Sequence, residues 1–309
     1  MDTVTNHSLS RRQFLASSAL LLVGASGKAA ESASAGPEPI IDIHQHTYYS
    51  GRTNQQLLAH QRAMGITITV LLPAGRMYGL EARCGGNESV VEFVGRHPNE
   101  FVYFANEIPD IPEARSELER YLRAGAKGIG EQKFKLECDS APIELIAEIA
   151  QSYGVPVLMH FQHGTYNTSF QRFHKILEKY PKVNFIGHAQ TWWGNIDANL
   201  NPTLLYPTGP VTPGGLTDRW LADYPNMFGD LSAGSGLNAL LRDEDFTRGF
   251  LDRHQGKLLY GSDCNDTIGR GPGCQGAQTL KTLRRLVPDK TAERKILFEN
   301  AKRVLKLDV

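Results

Sequence analysis

The chain lacks an excess of charge of either sign, because its 33 basic side chains balance its 33 acidic ones over 309 residues. It has no run of about five or six like charges, the usual mark of an interaction tail. The neutral balance also gives no electrostatic footprint for nucleic acid. No apolar run reaches the roughly 18 residues that a membrane-spanning helix needs. These absences argue against a nucleic-acid-binding protein and against insertion of the mature chain into a membrane.

Cysteine is scarce, with four residues in the whole chain. A core of this size needs no disulfide framework, and 41% hydrophobic with 21% charged residues is typical of a globular domain. The chain has no Cys-x-x-Cys pair, so the sequence predicts no cysteine-based zinc site. Four cysteines allow three disulfide connectivities. In an oxidising compartment Cys264 and Cys274, which share one stretch, are the favoured pair.

The first 35 residues contain the features of an export signal in the usual order. Arg11 and Arg12 are followed by Gln-Phe-Leu and an apolar run to Val23, a pattern that resembles a twin-arginine signal. Small residues follow, with cleavage sites after Ala29 or Ala35. We therefore expect residues 1–35 to be a signal and spacer, residues 36–309 to be the mature domain, and the mature protein to be periplasmic.

The mature chain repeats one rhythm, in which short β-branched runs alternate with amphipathic stretches. Eight strands are predicted, at residues 39–44, 66–72, 101–105, 126–134, 155–160, 183–188, 227–231 and 257–260. Helical patterns lie between them, for example at 143–153, 170–180 and 277–286. Eight strands that alternate with helices favour parallel βαβ units closed into an α/β (β/α)₈ TIM barrel of a single domain. An open doubly wound sheet is the alternative, but no G-x-G-x-x-G follows the first strand. The longest irregular stretch is predicted at 191–215.

Potential metal ligands stand where the predicted strands end. Neutral imidazoles and carboxylates suit zinc or a similar divalent ion, and the carboxyl ends of barrel strands form the functional face. His44 and His46 are two residues apart and share a face of an extended segment. The predicted ligands are His44, His46, Glu131, His160, His188 and Asp263.

These motifs resemble the amidohydrolase superfamily, in its amidohydrolase-related (amidohydrolase 2) branch. The matching motifs are D-I-H-Q-H at 42–46, V-L-M-H at 157–160, F-I-G-H-A at 185–189 and Y-G-S-D at 260–263, with a C-terminal I-L-F-E-N-A at 296–301. The resemblance spans residues 40–309. It implies a metal-dependent barrel, usually a hydrolase, with decarboxylases and hydratases in the same branch.

The number of ions depends on Glu131. Residues 128–131 (G-I-G-E) are similar to a strand of TatD-like metal-dependent hydrolases, in which the glutamate bridges two ions, whereas many amidohydrolase 2 members hold one. With a bridge, His44, His46 and Asp263 would surround one ion, and His160 and His188 the other. Glu131 could instead pair with Lys133 or Lys135. The expected cofactor is zinc, with manganese as the alternative, in one or two copies.

The resemblance also assigns chemistry. Water activated by a divalent ion would cleave a C–N, C–O or lactone-type bond of a small molecule. Asp263 would be the base that takes the proton and returns it to the leaving group, and His188 would polarise the substrate carbonyl or bind the second ion.

Two other functions stay open. A metal-dependent decarboxylase or hydro-lyase would need a cation for the substrate carboxylate, and Arg76, Arg83 and Arg270 lie in loops that could supply one. A non-catalytic, exported metal- or sugar-binding barrel would use the same ligands without turnover.

Five residues are candidate substrate contacts. Trp192 and Trp193 could stack on a ring at the rim of the site, or anchor the loop by packing on the barrel. Lys133 and His163 could line the pocket, together with Tyr166.

Overall fold

The structure, a computed structural model, describes Met1 and residues 38–76 and 83–309. Apart from Met1, the predicted signal segment lies outside the described residues. Among the described residues, no helix is both long and apolar enough to span a membrane.

Eight parallel strands follow one another along the chain, in two sheets of order β1-β2-β3 and β4-β5-β6-β7-β8. Their bounds are β1 Ile41–Gln45, β2 Ile68–Leu71, β3 Phe101–Tyr103, β4 Ile129–Gln132, β5 Val157–His160, β6 Phe185–His188, β7 Met227–Asp230 and β8 Leu258–Leu259. Every predicted strand is present, but most are shorter than predicted, because only their central residues form ladder hydrogen bonds.

Backbone hydrogen bonds join both pairs of sheet edges into a closed ring. On one side, the amide of Ala105 donates to Gly128 O at 2.9 Å and the amide of Gly130 donates to Ala105 O at 2.9 Å. On the other, the amide of Ile43 donates to Tyr260 O at 3.1 Å. The ring leaves no strand edge for an open doubly wound sheet, so the barrel expected from the alternation of strands and helices is observed.

Helices surround this ring. They are α1 Asn54–Ala63, α2 Asn87–Arg96, α3 Ala114–Arg123, α4 Ala141–Tyr153, α5 His174–Lys179, α6 Gln190–Gly194, α7 Leu216–Asp223, α8 Ala233–Leu241, α9 Glu244–His254, α10 Gln275–Leu286, α11 Lys290–Arg294 and, after a π-helical turn at Lys295–Glu299, α12 Asn300–Leu305. The helical pattern at 170–180 is split, since a short 3₁₀ turn precedes α5. The prediction of an irregular stretch from residue 191 was wrong at its start, where α6 forms.

Side chains alternate across the strands, so that every second residue points into the ring. We call the inward apolar residues the apolar layer: Ile41, Ile43, Ile68, Val70, Leu72, Phe104, Leu158, Ile186, Phe228 and Leu259. Their outward neighbours, such as Val157, Met159 and Phe185, pack against the helices. Two residues after Leu158, Ile186 and Phe228, the inward positions become His160, His188 and Asp230. The period of two thus places polar side chains directly above the apolar layer.

One extra residue in β1 and in β4 turns further polar side chains inward. From Asp42 to Gln45, β1 spans three residues against two in β2, and β4 does the same against β5 between Ile129 and Gln132. Such bulges re-aim side chains beside active sites. Glu131 therefore faces inward although Ile129 faces the helices. Gly130 permits this with φ +141° where any Cβ would lie 2.8 Å from Leu158 O.

Candidate active site

His44, in β1, and His46, directly after it, direct their Nε2 atoms toward the same point. His44 Nδ1 lies 2.7 Å from the Asp230 carboxylate and His46 Nδ1 lies 2.8 Å from Leu72 O. Both partners are acceptors, so each Nδ1 carries the hydrogen and each Nε2 is left with a lone pair. The two Nε2 atoms are 3.2 Å apart. Two ring nitrogens this close in a buried site favour a shared positive charge, either a proton on one ring or a metal ion between them.

His160 and His188 form the other half of the cluster. His188 Nδ1 lies 3.1 Å from Ser232 Oγ and 3.2 Å from Asp230 Oδ2, which leaves its Nε2 for a ligand. His160 Nε2 lies 3.3 Å from Gln162 Oε1, and its Nδ1 lies 2.5 Å from Glu131 Oε1. Donation from Nε2 to Gln162 again leaves a lone pair beside a carboxylate.

Two carboxylates connect the halves. Glu131 Oε2 lies 3.6 and 3.7 Å from Nε2 of His44 and His46, whereas Glu131 Oε1 lies 3.7 Å from His188 Nε2. Asp263 does the same: Oδ1 is 3.5 Å from His46 Nε2, and Oδ2 is 3.6 Å from His188 Nε2. Asp263 Oδ1 is buried and has no hydrogen-bond partner among the described residues. A buried carboxylate oxygen without a donor indicates a position for a cation.

The electrostatics show a strong demand for positive charge. Burial lowers the pKa of His44, but the carboxylates of Asp263 and Asp230 outweigh burial and raise it well above its ordinary value. Burial raises the pKa of Asp230, yet the His44 ring outweighs this and lowers it to about 2. Burial likewise opposes the charge of Glu131 and Asp263, and the pKa of each still falls below its ordinary value, through His160 and His44 respectively. The buried carboxylates of Glu131 and Asp230 and the part-buried Asp263 thus favour positive charge in this cluster, a demand that divalent cations bound by these imidazoles and carboxylates would also meet.

We call the residues at this level the polar layer: His44, His46, Glu131, His160, His188, Asp230 and Asp263. All six ligands predicted from the sequence converge here in one cluster, four of them from β1, β4, β5 and β6, His46 from the residue after β1, and Asp263 from the loop after β8. Three groups of candidate metal ligands overlap in it, one being His44, His46 and Asp263, another His44, His188 and Asp230, and the third Glu131, His160 and His188. Asp263 has φ +39°, a backbone conformation that clusters at functional sites in non-glycine residues.

Sequence reasoning missed Asp230, although it ends β7 as the other ligands end their strands. The sequence pattern of β7 is weak, so Asp230 was not recognised as a strand-end ligand. Ser232 was also missed; its Oγ lies 2.8 Å from Asp230 Oδ2. Tyr49 lies beside His46, with ring centroids 5.0 Å apart, and the charge of Asp263 together with burial raises the pKa of Tyr49. No local pattern marks Tyr49, because it follows the strand in a short turn.

Two of the predicted substrate contacts are wrong. Trp192 and Trp193 are 0% and 3% exposed, so neither offers a face to a substrate. Trp192 packs where Gly187 has no side chain, since a Cβ there would lie 2.4 Å from the indole. Trp193 donates from Nε1 to Asp230 O at 2.8 Å. Both tryptophans therefore anchor the segment after β6 on the barrel, the other interpretation that the sequence allowed.

The remaining candidate contacts lie at the mouth. Lys133 Nζ stands 5.4 Å from the centre of the Tyr166 ring, and that ring is 5.5 Å from the ring of His160. His163 is exposed and lines a cavity of about 470 Å³ together with Gln162, Asn167, Thr191 and Leu200. Lys133 thus lies close to His160 of the polar layer, whereas the lining of the cavity beside His163 includes no residue of that layer.

Solved structures with the same fold include enzymes of more than one reaction type. An uncharacterised TIM-barrel protein from Bordetella bronchiseptica matches with a TM-score of 0.64 and 14% identity, over 87% of this chain and 98% of that one. A protein from Pseudomonas putida, provisionally assigned as a 2-pyrone-4,6-dicarboxylic acid hydrolase, matches with a TM-score of 0.59 and 16% identity, over 87% and 98%. A manganese complex of 5-carboxyvanillate decarboxylase from Novosphingobium aromaticivorans matches with a TM-score of 0.52 and 15% identity, over 82% and 80%.

At these identities, the structural likeness establishes the fold alone. No curated protein sequence matches the chain. The amidohydrolase family model, in contrast, matches residues 41–307, nearly the whole of the part that forms the barrel. The resemblance inferred from the strand-end motifs is confirmed: the chain belongs to the amidohydrolase family.

Proposed function

We propose that this protein is a metal-dependent hydrolase that cleaves a C–N, C–O or lactone-type bond of a small molecule. One observation carries the proposal: Glu131 and Asp263 each direct one oxygen toward His44 and His46 and contact His188 with the other. Carboxylates that serve both halves of a histidine set suit a pair of ions, and paired ions are common in hydrolytic sites.

The donor set fits divalent ions. His44, His46 and Asp263 would hold one ion, His160 and His188 a second, and Glu131 would bridge them. Zinc suits these nitrogen and oxygen donors, and manganese is the alternative. When bound, such ions lower the pKa of water to about 7 and polarise a carbonyl oxygen.

The protein's own groups would move the proton and hold the geometry. Asp263, whose pKa lies below its ordinary value, is ionised at neutral pH. With Oδ1 facing the ion beside His44 and His46, Asp263 would accept the proton at its other oxygen, Oδ2. It would return that proton to the leaving group. Asp230 fixes the ring orientation of His44 and His188 through their Nδ1 atoms. Lys133 at the mouth would orient a polar or anionic substituent of the substrate.

Decarboxylation is the alternative reaction. The structure gives little support to the three arginines considered as binding groups for the substrate carboxylate. Arg76 pairs with Glu107 at 3.3 Å and Glu113 at 3.7 Å. Arg83 and Arg270 are exposed. These positions weaken the case for the three arginines and leave the decarboxylase alternative open.

The test combines metal analysis with two reaction assays. We expect Glu131→Gln to hold at least one ion fewer per chain than the parent. The control is Glu137→Gln, which alters an exposed glutamate paired with Arg172 and should match the parent. Metal-loaded protein is then assayed on amides, esters and lactones, and on aromatic carboxylates with detection of released CO₂.

Hydrolysis that depends on Glu131 supports the proposal. Release of CO₂ without hydrolysis identifies a decarboxylase. Metal binding without any turnover identifies the third candidate, an exported binding protein.

Export belongs to the same proposal and rests on the twin arginine at residues 11 and 12 and the apolar run after it. We expect the wild-type protein in the periplasmic fraction of a bacterial host with a twin-arginine pathway. The double substitution Arg11→Lys and Arg12→Lys should retain it in the cytoplasm. Export of the double variant at the wild-type level would contradict this placement.

A further inference from the structure

A second cluster of metal-ligating side chains lies outside the polar layer. It consists of His60 from α1, Cys264 and Asp266 from the loop after β8, and Cys274, which caps α10. His60, Cys264 and Cys274 are all at most 3% exposed. The polar layer does not include any of these four residues, and the mechanism above does not use them.

The distances within this cluster are those of a tetrahedral site. The two sulfurs are 3.7 Å apart, and His60 Nε2 lies 3.3 Å from Cys274 Sγ and 3.4 Å from Cys264 Sγ. Zinc–sulfur bonds of about 2.3 Å and a zinc–nitrogen bond of about 2.0 Å in tetrahedral geometry separate two sulfurs by about 3.8 Å and nitrogen from sulfur by about 3.5 Å. Asp266 Oδ2 lies farther out, 3.8 Å from His60 Nε2, and accepts hydrogen bonds from the amides of Ile268 and Gly269 at 2.9 and 2.7 Å. The geometry therefore brings together three ligands, His60, Cys264 and Cys274, and leaves the fourth position open beside Asp266.

Hydrogen bonds around the cluster orient the His60 ring so that its Nε2 can bind a cation. His60 Nδ1 lies 2.9 Å from Gln61 Oε1, and the Gln61 amide nitrogen donates to Asp42 and Thr69 at 2.8 Å each. This chain of bonds fixes Gln61 with its oxygen toward His60, so Nδ1 carries the hydrogen and Nε2 keeps its lone pair. Partners of this kind orient metal-bound histidines.

The amide of Ala277 donates a hydrogen bond to Cys274 Sγ at 3.3 Å, which holds this sulfur in place and favours its thiolate form. Without a cation, the Cys264 thiol can donate to His60 Nε2 and the Cys274 thiol to Met64 Sδ, 3.8 Å away.

We propose that His60, Cys264 and Cys274 bind a zinc ion that holds the loop after β8 against α1, with the fourth position open beside Asp266. Binding converts two thiols to thiolates and releases two protons. The loop begins next to Asp263, and α1 follows the strand that carries His44 and His46, so the ion would fix two segments that build the polar layer. The sequence expectation of no cysteine-based zinc site considered only Cys-x-x-Cys pairs, whereas the residues of this cluster come from segments about 200 residues apart.

Cobalt(II) substitution tests the proposal, because thiolate–cobalt charge transfer absorbs in the near ultraviolet. The double variant Cys84→Ser and Cys138→Ser retains only Cys264 and Cys274 of the four cysteines. We expect its cobalt form to keep the thiolate band at wild-type intensity. The active-site ions have no thiolate among their proposed ligands. The band is therefore independent of the proposed function, and failure of one proposal leaves the other measurable.

Zinc analysis of full-length protein gives the second readout. The double variant Cys264→Ser and Cys274→Ser should hold one zinc fewer per chain than the Cys84→Ser and Cys138→Ser control. Absence of the thiolate band in that folded control would overturn the proposal. So would a Cys264–Cys274 disulfide found by mass spectrometry of the unreduced, denatured protein, the pairing that the sequence alone favoured.

Discussion

The apolar layer and the polar layer occupy the same strands one step apart, yet they depend on different physics. Leu158 and Ile186 fill space in the ring, and His160 and His188 stand two residues later on the same strands. In the apolar layer, an apolar side chain of similar volume preserves most of the packing. In the polar layer, each group is positioned by a charge or a hydrogen bond, so an isosteric change can abolish its role. The barrel therefore separates stability from chemistry along each strand.

The largest effect should come from Asp263→Asn, which keeps the shape of the side chain and removes its ability to accept a proton. We expect kcat to fall about 100- to 10,000-fold, the usual range for loss of a general base, with the melting temperature close to that of the parent. The control is Asp252→Asn, which alters an exposed carboxylate on α9. Parent-like kcat in Asp263→Asn would remove Asp263 from the chemistry.

Leu158→Ala should show the reverse pattern. The side chain is 0% exposed, and truncation of a buried leucine lowers the free energy of unfolding by about 2–5 kcal/mol. Metal content of the folded fraction should be unchanged. The exposed Leu204, at 54%, provides a control, since its change to alanine should shift the free energy by no more than about 0.5 kcal/mol. Denaturant titration measures both, and equal stability of the two variants would contradict the assignment of Leu158 to the apolar layer.

Asp230→Asn tests a positioning residue of the polar layer. Asp230 contacts Nδ1 of His44 and of His188, and loss of such a partner weakens metal affinity about 10- to 100-fold. Excess metal should restore much of the activity, which a direct catalytic defect would not permit. Affinity is measured by competition with a chelator. Unchanged affinity would show that Asp230 does not orient the two histidines.

The smallest effect should come from Ile186→Val, which removes one methylene from the apolar layer. The expected loss of stability is about 0.5–1.5 kcal/mol, with kcat and metal content unchanged. A change in metal content without a change in stability would show that the two layers are not separable as described.

The outline of the fold could be predicted from the sequence because the patterns that indicate strands are local. Period-two runs and strand-end residues are visible one strand at a time, so the order of the strands and the places of His160 and His188 follow directly. Glu131 was harder, since its inward direction depends on an extra residue in β4 that only pairing with β5 reveals. The burial of Trp192 depends on the missing side chain of Gly187, and the His60 cluster on contacts between distant segments. These features are tertiary and leave no local signal.

The central proposal is that Glu131 bridges two metal positions within the polar layer, one of which includes Asp263. Anomalous diffraction from crystals of zinc- or manganese-loaded protein, collected at the absorption edge of the metal, tests it most directly. The account predicts two anomalous peaks in the polar layer, one beside His44 and His46 and one beside His160 and His188. A single peak in fully loaded protein, with Glu131 turned away from it, would contradict the claim.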